Sequence, residues 1–384
     1  MLTLSGAVLA TNASKGDTKR QLFSLSTNPN LPSPIKSQKA FLVSSGNEVS
    51  DGFRHYIVFN VKPERLPNEA PYTIVGDEFR YFGDKDVVAI GNGRIRCLYR
   101  ASSSHNSILL TEQCNNYCLM CSQPPKRVSD PWLLEEALEL IRLIPRETQS
   151  LGITGGEPTL LGDGLIELLR LTRNWLPHTS VHLLSNGRAF ADAQFAKKYA
   201  AVSHHDLMLG IPVYSCDPTR HDYVVQARGA FDETIRGILN LKQLNQRVEI
   251  RVVIHKQTYQ GLLDLAEFIA RNLLFVDHVA LMGLETTGFT RANMDALWID
   301  PAEYKGELGK TVRKLRNYGI RASVYNHPLC LVNSDAEQCY VKSISDWKNE
   351  YAPECTMCSR RNECGGFFLS GIQYGYSKHI TPFP

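Results

Sequence analysis

Ten cysteines are the residues in this 384-residue chain whose type and spacing could do chemistry. Three of them, Cys114, Cys118 and Cys121, form a CxxxCxxC run, Cys114-Asn-Asn-Tyr-Cys118-Leu-Met-Cys121. Three thiolates so close together can converge on one metal centre. A structural zinc closes all four of its positions, whereas an iron–sulfur cubane on three cysteines leaves one iron open for substrate. A zinc site completed by a distant histidine, or cysteines without metal, are alternatives that spacing leaves open. A second group, Cys355-Thr-Met-Cys358 followed by Cys364-Gly-Gly-Phe-Phe, reads CxxCx5C. Cys330 and Cys339 are candidate fourth ligands, and Cys330 is preferred because Pro328 just before it suggests a rigid turn. Four thiolates there would close either a zinc site or an auxiliary 4Fe–4S cluster. Cys97 and Cys216 stand alone and read as packing residues.

The elements around the first group decide how it would be presented. From about residue 105 the hydrophobic pattern alternates strand and helix. Strands are expected at 107–112, 150–154, 180–184, 206–213, 248–255 and 278–282. Helices are expected at 131–144, near 162–175, 190–200, 231–243 and 261–272, and again near 302–318. Asp130 and Pro131 give the first helix a cap and a first-turn proline. About six βα units argue for a parallel sheet flanked by helices, open or closed into a full or partial barrel. Cys114 then follows the first strand of this region, Gly155-Gly156-Glu157-Pro158 ends the second, and Ser185-Asn186-Gly187 ends the third. Glycines there permit close approach to the backbone, Glu157 can bind an ammonium group, and Ser185 with Asn186 suit ribose hydroxyls. Three successive strands thus carry polar chemistry at their C-terminal ends, where parallel α/β folds place active sites. Arg251 and His255 on the fifth strand and Glu285 after the sixth are further candidates to face cofactor or substrate. Each reads equally well as a surface or ion-paired residue.

Upstream, residues 1 to 104 are expected to form a small β-rich module. Its strands lie at 56–59, 86–90 and 94–99, with Gly91-Asn92-Gly93 as a hairpin turn. The polar stretch from Thr11 to Lys39 reads as loop or a poorly ordered arm. Lys plus Arg is 42 against 39 Asp plus Glu, a balance that gives no case for a dedicated nucleic-acid binder. The opening MLTLSGAVLA lacks a basic n-region, and no apolar run approaches the roughly 20 residues of a membrane span. A chain of this length has no need of a disulfide scaffold, so a reducing cytoplasm with metal-binding cysteines is the expected setting.

CxxxCxxC followed about 35 residues later by GGEP resembles the radical S-adenosylmethionine superfamily over residues 105–285. The resemblance implies an α/β fold: a partial (βα)6 barrel, here between a β-rich N-terminal domain (1–104) and a Cys-rich C-terminal extension (286–384). It implies a 4Fe–4S cluster on Cys114, Cys118 and Cys121, with S-adenosylmethionine chelating the fourth iron. Gly155, Gly156 and Glu157 would contact the methionine amino group, Ser185 and Asn186 the ribose region, and Arg251 the cofactor. Met120 departs from the aromatic residue usual before the third cysteine. In such enzymes one electron enters the sulfonium, and the 5′-deoxyadenosyl radical released takes a hydrogen atom from substrate. CxxCx5C resembles the auxiliary-cluster extension of peptide-modifying members, which favours iron–sulfur on Cys330, Cys355, Cys358 and Cys364. The wording of both motifs is most similar to the His-Xaa-Ser system maturases. That likeness implies a ribosomally made His-Xaa-Ser-repeat peptide as substrate, a second radical S-adenosylmethionine protein as partner, and a flavodoxin- or ferredoxin-type electron donor.

Two other readings stand beside this one. The same radical chemistry could act on a nucleobase, tRNA or small metabolite, for which the basic stretch Lys310–Arg316 is the support. Alternatively the chain is a non-enzymatic zinc protein that binds partners.

Overall fold

The protein is described by a computed structural model covering residues 3–12, 20–43, 49–61, 66–67, 69–342 and 349–384. Contacts divide it into two compact units. The first comprises Met1–Ile108, Glu135–Leu151 and Leu171–Thr179, and the second Leu109–Leu134, Gly152–Arg170 and Ser180–Pro384.

In the first unit eight strands form one sheet: Ser5–Ala7 (β1), Ala10–Thr11 (β2), Gln21–Ser26 (β3), Lys39–Val43 (β4), His55–Phe59 (β5), Tyr72–Val75 (β6), Val87–Gly91 (β7) and Arg94–Tyr99 (β8). Their order is β1-β8-β7-β3-β4-β5-β6-β2. Pairing is parallel from β3 through β6 and antiparallel at the β7–β3, β7–β8, β1–β8 and β2–β6 contacts. Alternation along the strands supplies two apolar faces. Phe23, Leu25, Leu42 and Ile57 join one core cluster, and Phe41, Val43, Tyr56 and Val58 the other. The stretch from Thr11 to Lys39 is therefore not simply a loop. It contains the buried strand β3 and a helical turn at Ser33–Lys36, while its residues 13–19 lie outside the described residues. Pairing with β7 on one side and β4 on the other overrides the polar local composition.

The second sheet runs β15-β14-β13-β12-β11-β10-β9. Its strands are Asn106–Leu109 (β9), Ser150–Thr154 (β10), Ser180–Leu184 (β11), Leu207–Pro212 (β12), Arg247–Ile254 (β13), His278–Gly283 (β14) and Ala322–Tyr325 (β15). The pairings from β11 through β15 are parallel. Helices Pro131–Leu143, Asp163–Trp175, Ala193–Ala200, Ala230–Gln243 and Leu262–Asn272 alternate with the strands as expected, and Pro301–Asn317 leads to β15. Among the elements not foreseen are the seventh strand β15 and helix Pro218–Val225, started by Pro218 with Asp217 Oδ1 accepting from Thr219 N. Both are short, with four and eight residues, so neither carries a long periodic signal.

Strand β13 shows how this sheet is built. Val248, Ile250, Val252 and Ile254 are buried on one face, while Arg247, Glu249 and Arg251 share the other. On that second face Glu249 Oε1 accepts from Arg251 Nη1 at 2.7 Å, and Glu249 Oε2 lies 2.7 Å from His278 Nδ1. His278 Nε2 continues to Ser323 Oγ at 2.9 Å, linking β13, β14 and β15. His182 Nε2 stands 3.5 Å from Glu249 Oε1. Gly210 makes room for them, because a Cβ there would come within 2.8 Å of both Arg251 Cδ and His182 Nε2.

Burial alone would push the Glu249 carboxyl up, yet the hydrogen bond from His278 and the charge of Arg251 hold it at about 2, against an ordinary 4.5. A depressed carboxyl lends stability that is complete above pH 4.5 and lost as pH falls towards 2. Glu249→Gln is expected to cost roughly 3 kcal/mol at neutral pH and to flatten the loss of stability across that acidic window. Urea unfolding as a function of pH measures both, and equal pH slopes for the variant and the parent would contradict the assignment.

Candidate active site

The loop carrying Cys114, Cys118 and Cys121 is bound to the ends of the neighbouring strands by its backbone. Gly156 N donates to Thr111 O at 2.7 Å and Glu157 N to Gln113 O at 2.8 Å. The glycine pair is required by this approach. A Cβ on Gly155 would stand 2.8 Å from Thr111 O, and one on Gly156 would overlap the Gln113 carbonyl and meet Cys114 Cβ at 3.1 Å. Asp130 holds the same stretch from the other side: its carboxylate accepts from Glu112 N at 2.5 Å and from the side chains of Thr111 and Gln113 at 3.0 and 3.1 Å.

Glu157 has no exposed surface. Its Oε1 accepts from Thr159 N, Thr159 Oγ1 and Ser185 Oγ at 3.0, 2.6 and 2.8 Å, and its Oε2 from Asn186 N at 2.6 Å. Burial pushes its pKa up, and these donors oppose that shift. Ser185 and Asn186 are thus engaged with the chain. Asn186 Nδ2 also donates to Asn115 Oδ1 at 2.6 Å, within the cysteine loop.

The sequence reading missed several residues that hold this loop. Arg188 Nη1 donates to Asn115 O at 2.8 Å and Asn116 Oδ1 at 2.7 Å. Tyr117 N and Leu119 N, both at 3.0 Å, donate to Val225 O and Val224 O at the end of the unforeseen helix. Beyond β14, Phe289 N donates to Cys121 O at 2.8 Å, Thr290 Oγ1 to Met120 O at 3.2 Å and Asn293 Nδ2 to Leu119 O at 2.9 Å. A Cβ on Gly288 would overlap Cys121 O. None of these contacts has a local signal in sequence, since each joins residues far apart in the chain.

The three thiols lie in an apolar setting. Met120, Tyr214, Val224, Val225 and Leu297 form a buried cluster against which Cys118 packs. Burial pushes all three thiols up, Cys114 to about 11, and proximity to Cys114 and Cys121 raises Cys118 further. Behind them His255 is fully buried, its Nε2 has no hydrogen-bond partner among the described residues, and burial holds it neutral with a pKa of about 4. Arg251 faces Glu249 and places Nη2 at 3.2 Å from Met282 Sδ. Glu285 is half-buried in the segment after β14.

Four cysteines of the C-terminal region border a common cavity. Cys330, Cys355, Cys358 and Cys364 line one cavity. Leu329 N and Gly366 N each donate to Cys364 Sγ at 3.3 Å. Cys339 lines a different cavity, beside Met208, Arg247 and His278 at the starts of β12, β13 and β14. The basic stretch on helix Pro301–Asn317 is largely ion-paired: Lys310 with Glu307, Arg313 with Asp335 and Lys314 with Glu267.

Among the described residues no three His, Cys, Asp or Glu side chains already stand in a metal-binding arrangement. Two observations nonetheless fit a sulfur-liganded cluster. The only donors shared by each group are thiols, the ligands that select iron–sulfur or zinc, and the loop bearing the first group is clamped on three sides with an apolar wall behind it. No helix among the described residues is long and apolar enough to cross a membrane.

Residues 108–269, from β9 into helix Leu262–Asn272, match the family described as the Radical SAM superfamily. Comparison with curated protein sequences finds no match. Among solved structures, SuiB from Streptococcus suis is 16% identical with a TM-score of 0.46, covering 59% of this chain and 50% of that one. The same protein bound to its precursor peptide SuiA is 17% identical with a TM-score of 0.46, covering 59% and 49%. Native anSMEcpe with bound AdoMet is 13% identical with a TM-score of 0.49, covering 72% of this chain and 91% of that one. The chain therefore spans about half the length of SuiB.

The glycine argument has a direct test. Gly156→Ala is expected to destabilise the protein by about 2–4 kcal/mol, because backbone rather than a flexible side chain must move. Gly306→Ala, in helix Pro301–Asn317 with nothing within 4 Å of its Cβ, is expected to stabilise by about 0.5–1 kcal/mol. Thermal melts of the two variants should shift in opposite directions; a Gly156→Ala protein that melts with the parent would contradict the close approach.

Proposed function

We propose that this protein is a radical S-adenosylmethionine enzyme that modifies a ribosomally made peptide. The observation that carries the reading is the convergence of Cys114–Cys121, Gly155–Glu157 and Ser185–Asn186 at the C-terminal ends of three successive strands, bound to one another by the hydrogen bonds above. Cys114, Cys118 and Cys121 would hold a 4Fe–4S cluster. When bound with S-adenosylmethionine, that cluster supplies one electron to the sulfonium, which yields methionine and a 5′-deoxyadenosyl radical.

The chain's own residues then position and exclude. Because the Glu157 carboxylate is already surrounded by Thr159, Ser185 and Asn186, its part is to fix Gly155 and Gly156, whose backbone would meet the methionine amino group. Asn186 and Ser185 would border the ribose, and Arg251, on the face shared with Glu249, would border the cofactor. The apolar wall of Met120, Tyr214 and Leu297 keeps water from the sulfur ligands, which protects a radical from quenching. The cavity lined by Cys330, Cys355, Cys358 and Cys364 would hold an auxiliary 4Fe–4S cluster.

Peptide is favoured over nucleic acid because the basic helix face is engaged in ion pairs. The His-Xaa-Ser-repeat peptide, a second radical protein as partner, a flavodoxin- or ferredoxin-type donor and a cytoplasmic setting belong to this proposal through the motif likeness given above.

Anaerobic incubation with dithionite and S-adenosylmethionine is expected to release 5′-deoxyadenosine from the parent and at least about 100-fold less from Cys118→Ala, since an open iron cannot be held on two thiolates. Cys358→Ala is expected to keep that cleavage and lose the mass change of a co-expressed His-Xaa-Ser-repeat peptide. An unmodified peptide in the presence of the active parent and its natural partner would contradict the substrate; undiminished release from Cys118→Ala would contradict the site.

A further inference from the structure

A cleft in the second unit is not used by the residues discussed so far. Thr286 borders it just beyond β14, Asn326 just beyond β15, and Trp298, Phe367, Phe368 and Tyr376 supply aromatic walls. None of the described residues that line it is charged. Thr286 is only 5% exposed, and its Oγ1 has no hydrogen-bond partner among the described residues.

A buried hydroxyl without a partner costs free energy, so its persistence in a cleft points to a partner that arrives with a ligand. The walls lead to both cysteine groups. The chain beyond Thr286 reaches Phe289, which donates to Cys121 O at 2.8 Å, and Phe367 lies three residues after Cys364. Phe367 and Pro328 border this cleft and the Cys330–Cys364 cavity alike.

We propose that this cleft receives a neutral aromatic side chain of the substrate peptide, hydrogen-bonded at its polar edge by Thr286 Oγ1. A charged side chain would lose its hydration without finding a counter-charge in the lining. An aliphatic one would fill the cleft but leave the hydroxyl unpaired. Aromatic walls suit a flat ring by offset or edge contacts, and a ring bearing one N–H or O–H satisfies Thr286 as well. The inference rests on the peptide reading above and names the part of the peptide held beside the reaction centre.

The test is calorimetric titration of the full chain, purified anaerobically with its native metal content, with N-acetyl-tyrosinamide, N-acetyl-leucinamide and N-acetyl-lysinamide. The tyrosine amide is expected to bind tightest. Thr286→Val is expected to weaken it about tenfold while raising the melting temperature, because the unpaired hydroxyl is gone. A purely structural threonine would not move affinity and stability in opposite senses. Equal binding of the leucine amide, tighter binding of the lysine amide, or unchanged affinity in Thr286→Val would overturn the proposal. So would free tyrosine binding as tightly as the blocked amide, which would mark a small-molecule site. Binding is read without S-adenosylmethionine or turnover, so a negative result here leaves the radical reading standing. Absent iron would defeat that reading while this titration remained measurable.

Discussion

A carboxylate with no exposed surface must find its donors within the chain, and Glu157 finds four, on Thr159, Ser185 and Asn186. Those bonds fix the end of β10 against the end of β11. The backbone immediately before Glu157 then lies so close to the cysteine loop that Gly155 and Gly156 cannot carry a side chain. Breaking the carboxylate's environment would leave several buried donors unpaired at once, which is far more costly than losing one exposed hydrogen bond. The position of Cys114 therefore depends on a carboxylate at the end of the adjacent strand, whose backbone N bonds Gln113 O beside it.

Around that centre, distinct parts of the second unit close on the cysteine loop. Helix Pro218–Val225 and the segment 288–293 also hold the cysteine loop, through backbone groups and the uncharged side chains of Thr290 and Asn293. Tyr214, Met120 and Leu297 form an apolar backing for Cys118, and burial keeps His255, next to Tyr214, neutral. On another face of the sheet Glu249, Arg251 and His278 balance one another.

The sequence made the sheet and the positions of the cysteines legible because hydrophobic alternation and short motifs are local. Strands β9 to β14 and the longer helices between them follow from periodicity, helix Pro218–Val225 excepted, and Cys114, Gly155 and Ser185 follow from their places at strand ends. Strand β3 was hidden because its burial comes from pairing with β7 and β4, not from its own flanks. Arg188, Gly288, Thr290 and Asn293 were hidden because each acts on residues some 70 to 170 positions away. The choice between Cys330 and Cys339 depended on which sulfur faces Cys355, Cys358 and Cys364, a question of tertiary packing that spacing leaves open.

The central claim is that Cys114, Cys118 and Cys121 hold a cubane with one iron free to bind S-adenosylmethionine. Mössbauer spectroscopy of protein loaded with iron-57, recorded with and without S-adenosylmethionine, tests this most directly. The account predicts that one iron of one cluster changes its signal on addition while the remaining irons do not. A spectrum indifferent to S-adenosylmethionine, or a protein that takes up zinc and no iron, would contradict it.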